Sequence, residues 1–396
     1  MTRTRAVTLA PVAPMGCRDC AFLRTCGGLE ESQQAMFGCF VDCGSCGVEE
    51  GACDYTCPRK PNFWRDWAEV GGLEPKQRRD LPGLHLTLPR YVPMLRHGSS
   101  RTDALPEEIV ALNTFEVVDS TCHSHDSSPE SLRERVKVSP SADVLLISVN
   151  QDRYVESFWG HRDQQRLADL ARLGVAAMST PNFSLFDDAP RLHSVRNLWR
   201  IIRSAEDIAD AGIVPIVHVN ALADEDWKVW VSVLRDNPAV RHVCKEFQTG
   251  LSDPDRAAKA VQGLRRLQQA VGRDLHPIIV GGRRVAHDVA CYFPSFTIVD
   301  SAPFFATVSR KRILVRGTSA TQIDNPTAPG EQLDDLLQDN VRAYRTLVEV
   351  CAASGHVDVP DAFDDEGGGT VVAAPVSAMA SLSRASAGRL PETRAV

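Results

Sequence analysis

The residues with the clearest chemistry are cysteines concentrated near the start of the chain. Eight of the twelve cysteines fall within one short segment: Cys17, Cys20, Cys26, Cys39, Cys43, Cys46, Cys53 and Cys57. Ordinary core packing does not require thiols at this density, whereas four thiolates at short, fixed separations surround a soft metal ion well. Eight thiolates divide into two closed four-sulfur sites, so the segment predicts a zinc-binding module.

Two spacings inside this segment leave iron–sulfur chemistry open as the alternative. The run from Cys43 to Cys57 is similar to a ferredoxin ligand run that ends in Cys-Pro, with an insertion. Cys39-x3-Cys43-x2-Cys46 has the spacing of the radical S-adenosylmethionine cluster motif. That motif, however, precedes every clear strand candidate and shares its segment with five further cysteines. We therefore expect structural zinc ahead of an iron–sulfur centre.

Composition and charge limit the function classes. The chain has 396 residues and a formal net charge of −7, which argues against a protein that coats nucleic acid through bulk electrostatics. No continuous apolar stretch precedes the cysteines and no segment is long enough to span a bilayer, so we expect no signal peptide and no membrane partner. These features predict a reducing cytoplasm, where clustered cysteines bind metal rather than pair as disulfides.

Beyond the cysteines, apolar runs alternate with amphipathic stretches. Asp143–Val149 is a continuous apolar run, as expected for a parallel strand that is covered on both faces. Similar runs give eight strand candidates, most of them followed by a helix: 112–118, 143–149, 175–179, 213–219, 240–247, 276–280, 296–299 and 313–316. The pattern predicts a (β/α)8 TIM-like barrel of the α/β class. An open doubly wound sheet is the alternative, but the glycine-rich turn after its first strand is missing.

These features divide the chain into four parts. Residues 1–16 are expected to form a disordered leader, and residues 17–80 the cysteine-rich module with its exit, where Trp67 can pack the module onto the barrel. Residues 81–356 are expected to form the barrel. Residues 357–396 are rich in Ala, Ser, Gly and Asp without periodicity, which predicts a disordered tail.

Polar residues follow the predicted strands, where a barrel of this type carries its chemistry. The strand ends place Asn182 and Ser184 after one strand, Asn220 after the next, and Gln248 after the one beyond it. Amides at the mouth of a pocket suit a neutral ligand with several hydrogen-bonding groups, such as the edge of a nucleobase. At any single position, closing a loop is the simpler role for such a residue.

Three strand ends, in order, resemble motifs of the tRNA-guanine transglycosylase superfamily, which has a (β/α) barrel fold. Residues 297–312 are similar to a family stretch in which a strand ends in Phe-Asp-Ser-Ala, followed by an aromatic, small residues and a basic residue. Ile278–Gly282 is similar to the family's Gly-Gly strand end, and Phe247–Gly250 to its Gln-Gly-Gly strand end. The resemblance covers residues 175–316 of this chain.

The resemblance implies an enzyme that exchanges a nucleobase on a sugar through a covalent aspartyl-sugar intermediate. It implies that Asp300 is the nucleophile, that Gln248 reads the base, and that the backbone amides of Gly281 and Gly282 contact it. We expect Asn182, Ser184 and Asn220 to complete the base site, and Asp187 or Asp188 to move a proton.

Within the superfamily, the cysteine-rich front and the segment 181–188 are closer to divergent phage-type enzymes that place 7-deazaguanines into DNA. The expected partners are therefore a nucleic acid, DNA rather than tRNA, and a free 7-deazaguanine base. Arg310, Lys311 and Arg312 form a basic run that we expect to contact the phosphates.

Departures from the family pattern keep other functions open. The family's zinc site follows the nucleophile and uses three cysteines and a histidine, but only Cys351 and His356 follow Asp300 here. One alternative is a radical S-adenosylmethionine-type iron–sulfur enzyme. The other is a non-enzymatic nucleic-acid-binding protein built around a zinc cluster.

Overall fold

Eight short parallel strands close into a barrel, with each strand paired to its neighbours in sequence order. The computed structural model describes residues 67–72, 75–186, 191–248, 251–328 and 330–354. The strands are β1 (Tyr91–Leu95), β2 (Ile109–Asn113), β3 (Asp143–Ile147), β4 (Ala177–Ser179), β5 (Pro215–His218), β6 (His242–Glu246), β7 (His276–Val280) and β8 (Thr297–Asp300). The predicted (β/α)8 TIM barrel is thus confirmed.

Helices cover the outside of the barrel. They are α1 (Thr114–Val117), α2 (Pro129–Val136), α3 (Asp152–His161), α4 (Gln164–Ala171), α5 (Arg191–Asp210), α6 (Asp224–Asp236), α7 (Pro254–Val271), α8 (Ala286–Tyr292), α9 (Ala302–Val308) and α10 (Asp334–Ala353). Local signals set several boundaries. Asp253 caps α7 by accepting a hydrogen bond from the Arg256 amide at 2.8 Å, and Gly272 ends that helix at φ 73°.

Two apolar layers result from the alternation of side chains along each strand. The barrel interior contains residues such as Val92, Ile278 and Val299, all fully buried. Their neighbours along the strands, such as Ile279 and Ile298, face the helices instead. Strands β1 and β8 close the barrel, with Val92 opposite Val299 and Pro93 opposite Asp300.

The structure corrects the predicted strand list at both ends. Tyr91–Leu95 forms β1, although the sequence interpretation placed the first strand at 112–118. The strand predicted at 112–118 lies earlier, at Ile109–Asn113, and a helical turn replaces its second half. The predicted last strand, 313–316, lies outside the barrel: β9 (Lys311–Arg316) pairs antiparallel with β10 (Ser319–Asp324).

The segment that enters the barrel domain packs against it. Trp67 and Val70 belong to the main core, as the sequence predicts for Trp67. Farther along, Arg78 forms ion pairs with Glu206 and Asp207 on α5. In the part of the chain described here, no helix is long and apolar enough to cross a membrane.

The remaining predictions on chain organisation concern segments that the structure does not describe. The leader 1–16, all eight clustered cysteines and the tail 357–396 lie outside the described residues. Within residues 67–354, apart from the gaps given above, no three His, Cys, Asp or Glu side chains converge in a way that could hold a metal ion. The zinc and iron–sulfur hypotheses therefore remain predictions from sequence spacing.

Candidate active site

Asp300 ends β8 at the C-terminal rim of the barrel, where this fold carries its active sites. Val299 faces the barrel interior and Ile298 faces the helices, so the Asp300 side chain leaves the strand on the helix side. Its Oδ2 accepts a hydrogen bond from the Tyr344 hydroxyl at 2.5 Å, and Oδ1 accepts one from the Ala302 amide at 2.8 Å. The residue keeps part of its surface exposed.

Opposing effects act on the charge of this carboxyl group. Burial raises the pKa of Asp300, while the hydrogen bonds from Tyr344 and Ala302 and the charge of Arg283 lower it. Burial also raises the pKa of Tyr344 well above its ordinary value, which keeps its hydroxyl protonated as a donor. Arg283 is buried and donates to the Thr318 carbonyl at 3.3 Å. Neither Tyr344 nor Arg283 was singled out in the sequence.

The three motifs that resemble the transglycosylases meet at Gly281. The Gly281 amide donates to the Val299 carbonyl at 2.9 Å, which joins the end of β7 to β8. A Cβ atom added to Gly281 would lie 2.5 Å from Gln248 Cγ, so Gln248 packs directly against this glycine. Gly281 has φ 72° and Gly282 has φ 69°, backbone angles that favour glycine. Three separate stretches of sequence thus form one continuous part of the rim.

This packing corrects one of the expected roles. Because the Gly281 amide is used within the barrel, it is not available to a base, and only Gly282 keeps the predicted role of amide donor. Gln248 is exposed, and its side-chain amide has no protein partner among the described residues. It can therefore offer a ligand both a donor and an acceptor.

Glu246 is a rim carboxylate that the sequence interpretation left without a role. It ends β6 two residues after the interior-facing Cys244, so its side chain leaves the strand toward the mouth of the barrel. Its Oε1 accepts a hydrogen bond from the Gln248 amide at 2.6 Å, which fixes the backbone that carries this glutamine. The period-two pattern of β6 was the signal that could have revealed it.

The predicted residues after β4 and β5 are engaged in holding loops. Asn182 Oδ1 accepts from the Asn150 amide at 3.1 Å, and Asn220 Nδ2 donates to the Phe183 carbonyl at 2.9 Å. Each asparagine keeps its other amide atom without a partner among the described residues.

Ser184, in the same part of the rim, is also engaged. Its Oγ donates to Asp152 Oδ1 at 2.7 Å, so the hydroxyl proton of this predicted base-binding residue is already used. Asp187 and Asp188, the predicted proton carriers, lie outside the described residues.

Two buried nitrogen-containing side chains lie on β5 and β6. His218 faces the barrel interior, and its Nδ1 is buried without a hydrogen-bond partner in the described chain. Burial lowers the pKa of His218 to about 3, so the ring is neutral. Lys245 faces the helices, and its Nζ donates to the Val219 carbonyl at 3.0 Å. Burial lowers the pKa of Lys245 to about 8.

The predicted phosphate-binding run, Arg310 to Arg312, leads from the end of α9 into β9. Arg312 forms an ion pair with Asp339, and its Nε donates to Asn325 Oδ1 at 3.3 Å. Its guanidinium is therefore used in holding the hairpin against α10, which weakens its predicted role. Arg310 lies at φ 55°, and its Nη1 is buried without a partner among the described residues. Lys311 begins β9.

No family model matches this chain. No curated protein matches it either. Among solved structures, the tryptophan synthase subunit alpha from Legionella pneumophila shares 10% identity over 67% of this chain and 93% of its own, with a TM-score of 0.36. A tryptophan synthase from M. tuberculosis shares 12% identity over 67% and 93%, with a TM-score of 0.29. A mandelate oxidase mutant shares 14% identity over 67% and 82%, with a TM-score of 0.28. Likenesses this distant carry no argument about function.

Proposed function

We propose that this protein is a base-exchange glycosyltransferase that replaces guanine in a nucleic acid, DNA rather than tRNA, with a free 7-deazaguanine. One observation carries the proposal. Gln248, Gly282 and Asp300 come from separate stretches that resemble one family's base-reading and nucleophilic motifs, and Gly281 joins these stretches at one part of the rim. In this fold, residues at the C-terminal ends of strands supply the chemistry.

The proposed reaction uses the Asp300 carboxylate twice. In the first step, a carboxylate oxygen forms a bond to the anomeric carbon while the bond from that carbon to guanine breaks. The electron pair of the broken bond leaves with guanine, which takes up a proton. In the second step, the ring nitrogen of 7-deazaguanine loses a proton, attacks the same carbon and releases the carboxylate. Two displacements retain the original configuration at the sugar.

The groups around Asp300 favour the charge state that a nucleophile needs. Tyr344, Ala302 and Arg283 all favour the ionised form, which is the nucleophile. Both carboxylate oxygens accept hydrogen bonds, so attack uses a remaining lone pair or comes after release of the Tyr344 hydroxyl.

Recognition of the base is proposed for groups that remain available. The exposed Gln248 amide and the Gly282 backbone amide offer hydrogen bonds to a base edge, with the free amide atoms of Asn182 and Asn220 as further contacts. Asp187 or Asp188 would carry the proton, and Glu246 is a second carboxylate at the mouth that can do so. A base within a duplex must leave the stack before it reaches such a rim.

The test compares wild-type protein with Asp300→Asn in the exchange of labelled guanine or 7-deazaguanine into DNA and tRNA, read by mass spectrometry of nucleosides. Asparagine keeps an acceptor for the Ala302 amide but is not a nucleophile, so we expect exchange to fall by at least about 1,000-fold with the fold intact. The matched control is Asp253→Asn, because Asp253 only caps α7 and asparagine caps helices equally well.

Unchanged exchange in Asp300→Asn would remove the nucleophile assignment. Wild-type protein that exchanges no base, yet binds oligonucleotides equally well with and without the Asp300 carboxylate, would favour the nucleic-acid-binding alternative.

A further inference from the structure

Phe305 on α9 is half exposed, at 49%, although it lies within a helix that packs on the barrel. Its neighbour Phe304 is buried and contacts the Phe305 ring at a centroid distance of 5.7 Å and an interplanar angle of 76°. His97 contacts the other side of this pair, with its ring 4.9 Å from that of Phe304. A buried ring, Phe304, and the partly buried His97 thus support an aromatic ring that remains half exposed.

A cation lies over the exposed ring. The Arg96 guanidinium carbon is 5.6 Å from the Phe305 ring centroid, within the range of a cation–π contact. Arg96 also pairs with Glu116 at 3.2 Å, and the Glu116 side chain is 47% exposed. The ion pair orients the guanidinium, whose side chain is only 24% exposed, and the exposure of Glu116 keeps the pairing weak.

This aromatic group lies beside Asp300. The Phe305 amide donates to the Ser301 carbonyl at 3.0 Å, so the ring lies one helical turn beyond the candidate nucleophile. Pro93 pairs with Asp300 across the barrel seam, and Arg96 comes three residues later on the same side of the rim. A polymer with one nucleotide at Asp300 therefore has adjacent nucleotides within reach of Phe305.

Besides Arg96 over the Phe305 ring, two further arginines follow α9 in the chain. Arg310 comes after the last turn of α9 and has a buried Nη1 without a partner among the described residues, and Arg316 ends β9 in an exposed position. Val308, on the same helix as Phe305, is 38% exposed. Exposed aromatic surface interleaved with cations is the surface that single-stranded nucleic acid prefers, since bases stack on rings and phosphates attract cations.

We propose that Phe305, with Arg96 over its ring, is a stacking platform for the base next to the target nucleotide of a nucleic acid strand. This inference rests on the proposed function in one respect: it assumes that a nucleic acid strand crosses this part of the rim. A protein partner or a second copy of the chain is the less favoured occupant, because the exposed apolar surface formed by Phe305 and Val308 is small and Arg96 lies over the Phe305 ring.

The test is fluorescence anisotropy with a labelled single-stranded DNA oligonucleotide of about 12 nucleotides and with its duplex. For Phe305→Ala we expect the Kd for the single strand to rise about tenfold, because one base loses its stacking partner. Phe305→Trp should restore or improve binding, since it keeps an aromatic face. Thermal unfolding should show little change for either variant, because the substitution lies at an exposed position.

The matched control is Leu222→Ala. Leu222 is also 49% exposed and lies after β5, which is across the barrel from β1, so this variant should bind like the wild type. A salt series separates stacking from phosphate contacts. Phe305→Ala should keep the wild-type dependence of log Kd on log salt, whereas Arg310→Ala should reduce its slope by about 0.7.

The proposal is overturned if Phe305→Ala binds within twofold of the wild type, if Leu222→Ala loses as much, or if Phe305→Ala changes only the oligomeric state. Binding that depends on Phe305 in a protein that exchanges no base would reject the proposed function and keep this inference. Base exchange that persists in a Phe305→Ala variant with undiminished binding would keep the proposed function and reject this inference.

Discussion

The two sides of the barrel rim use similar polar side chains for different purposes. On one side, which we call the braced arc (Asn182, Ser184 and Asn220), amide and hydroxyl groups hold neighbouring loops at 2.7 to 3.1 Å. On the other, the open arc (Gln248, Gly282 and the Asp300–Phe305 segment), Gln248 has an exposed amide without a partner in the described part of the protein, and Phe305 has an exposed ring. Side-chain amides thus hold loops together in the braced arc, whereas the side-chain amide of Gln248 in the open arc remains available to a ligand.

The difference has a physical cause in the length of the connections. The connection from β4 to α5 is long, and its Phe183 and Ser184 carbonyls accept hydrogen bonds from the Asn220 and Asn197 side chains. Asn182, in the same connection, accepts one from the Asn150 backbone amide. At the end of β7, two glycines turn the chain directly into Arg283, and the barrel ladder itself uses the Gly281 amide. Gln248 packs against the first of these glycines, and its side-chain amide has no partner among the described residues.

The largest expected difference between the arcs is in catalysis. We expect Gln248→Ala to lower kcat/KM for base exchange by about 10- to 100-fold with little change in the free energy of unfolding, because its exposed side-chain amide has no partner among the described residues and is proposed to contact the base. Asn220→Ala should instead lower the free energy of unfolding by about 1 kcal/mol, since the buried Phe183 segment loses a hydrogen bond. Steady-state kinetics and urea unfolding of both variants measure the two quantities.

The comparison between arcs would be broken if Gln248→Ala destabilised the protein as much as Asn220→Ala, or if both variants lost activity equally. Gln248→Glu sharpens it further. This variant keeps the size and one acceptor but replaces the donor with a negative charge, so a base that needs a donor from this position should bind less well while stability stays the same.

The second prediction concerns Lys245, which links β6 to the braced arc through the Val219 carbonyl. Its pKa in the folded state, about 8, lies below the ordinary 10.5, so burial penalises the charged form. The penalty is fully present below about pH 8 and disappears as the pH rises toward 10.5. At neutral pH, Lys245→Met should therefore raise the free energy of unfolding by about 2 kcal/mol after loss of one hydrogen bond.

Urea unfolding at pH 7 and pH 10 measures this effect, and the gain from Lys245→Met should shrink at the higher pH. Lys228→Met is the matched control, because Lys228 is 76% exposed on α6 and should change stability by less than about 0.5 kcal/mol. Coincident unfolding curves for Lys245→Met and the wild type at pH 7 would contradict the prediction.

Much of the barrel could be predicted from the sequence because most of its strands are continuous apolar runs, the pattern of a sheet buried on both faces. The run Tyr91–Leu95 was missed because it is short and lies in a stretch rich in proline and loops, without the clear alternation that follows Asp143. The run Ile313–Arg316 was assigned to the barrel wrongly. Charged residues flank it and only Ile313 is buried, which fits an exposed hairpin strand rather than a barrel strand.

The candidate site was less predictable than the fold. Gln248, Gly282 and Asp300 were predicted because each lies at or just after the end of a strand, and strand ends meet at one rim of a barrel. Whether a side-chain amide forms a hydrogen bond to a loop depends on which loop passes within about 3 Å of it. The pattern of a single sequence does not contain that information. Tyr344 is 44 residues from Asp300 and lies within the apolar face of α10, so nothing distinguishes it in the sequence from an ordinary core tyrosine.

The smallest expected effect separates Asp300 as a nucleophile from Asp300 as a fixed turn residue. The Tyr344 hydroxyl donates to the ionised carboxylate and so lowers the pKa of Asp300, which burial raises. In Tyr344→Phe this pKa rises further, and the ionised fraction falls at acidic pH. If exchange requires the ionised form, the acid limb of kcat/KM should move to higher pH, while the rate at alkaline pH stays close to that of the wild type.

Tyr91→Phe is the control for that shift, because it removes a buried hydroxyl whose distance to the Asp300 backbone carbonyl is 3.5 Å and which does not contact the carboxylate. Both tyrosines are buried with rings 5.2 Å apart, so a general loosening of packing would affect the two variants alike. A pH profile that moves only in Tyr344→Phe ties the rate to the charge of this one carboxyl group. Equal changes in both variants, or none in either, would leave Asp300 as the residue that fastens α10 to the end of β8 and would move the search for a nucleophile to Glu246.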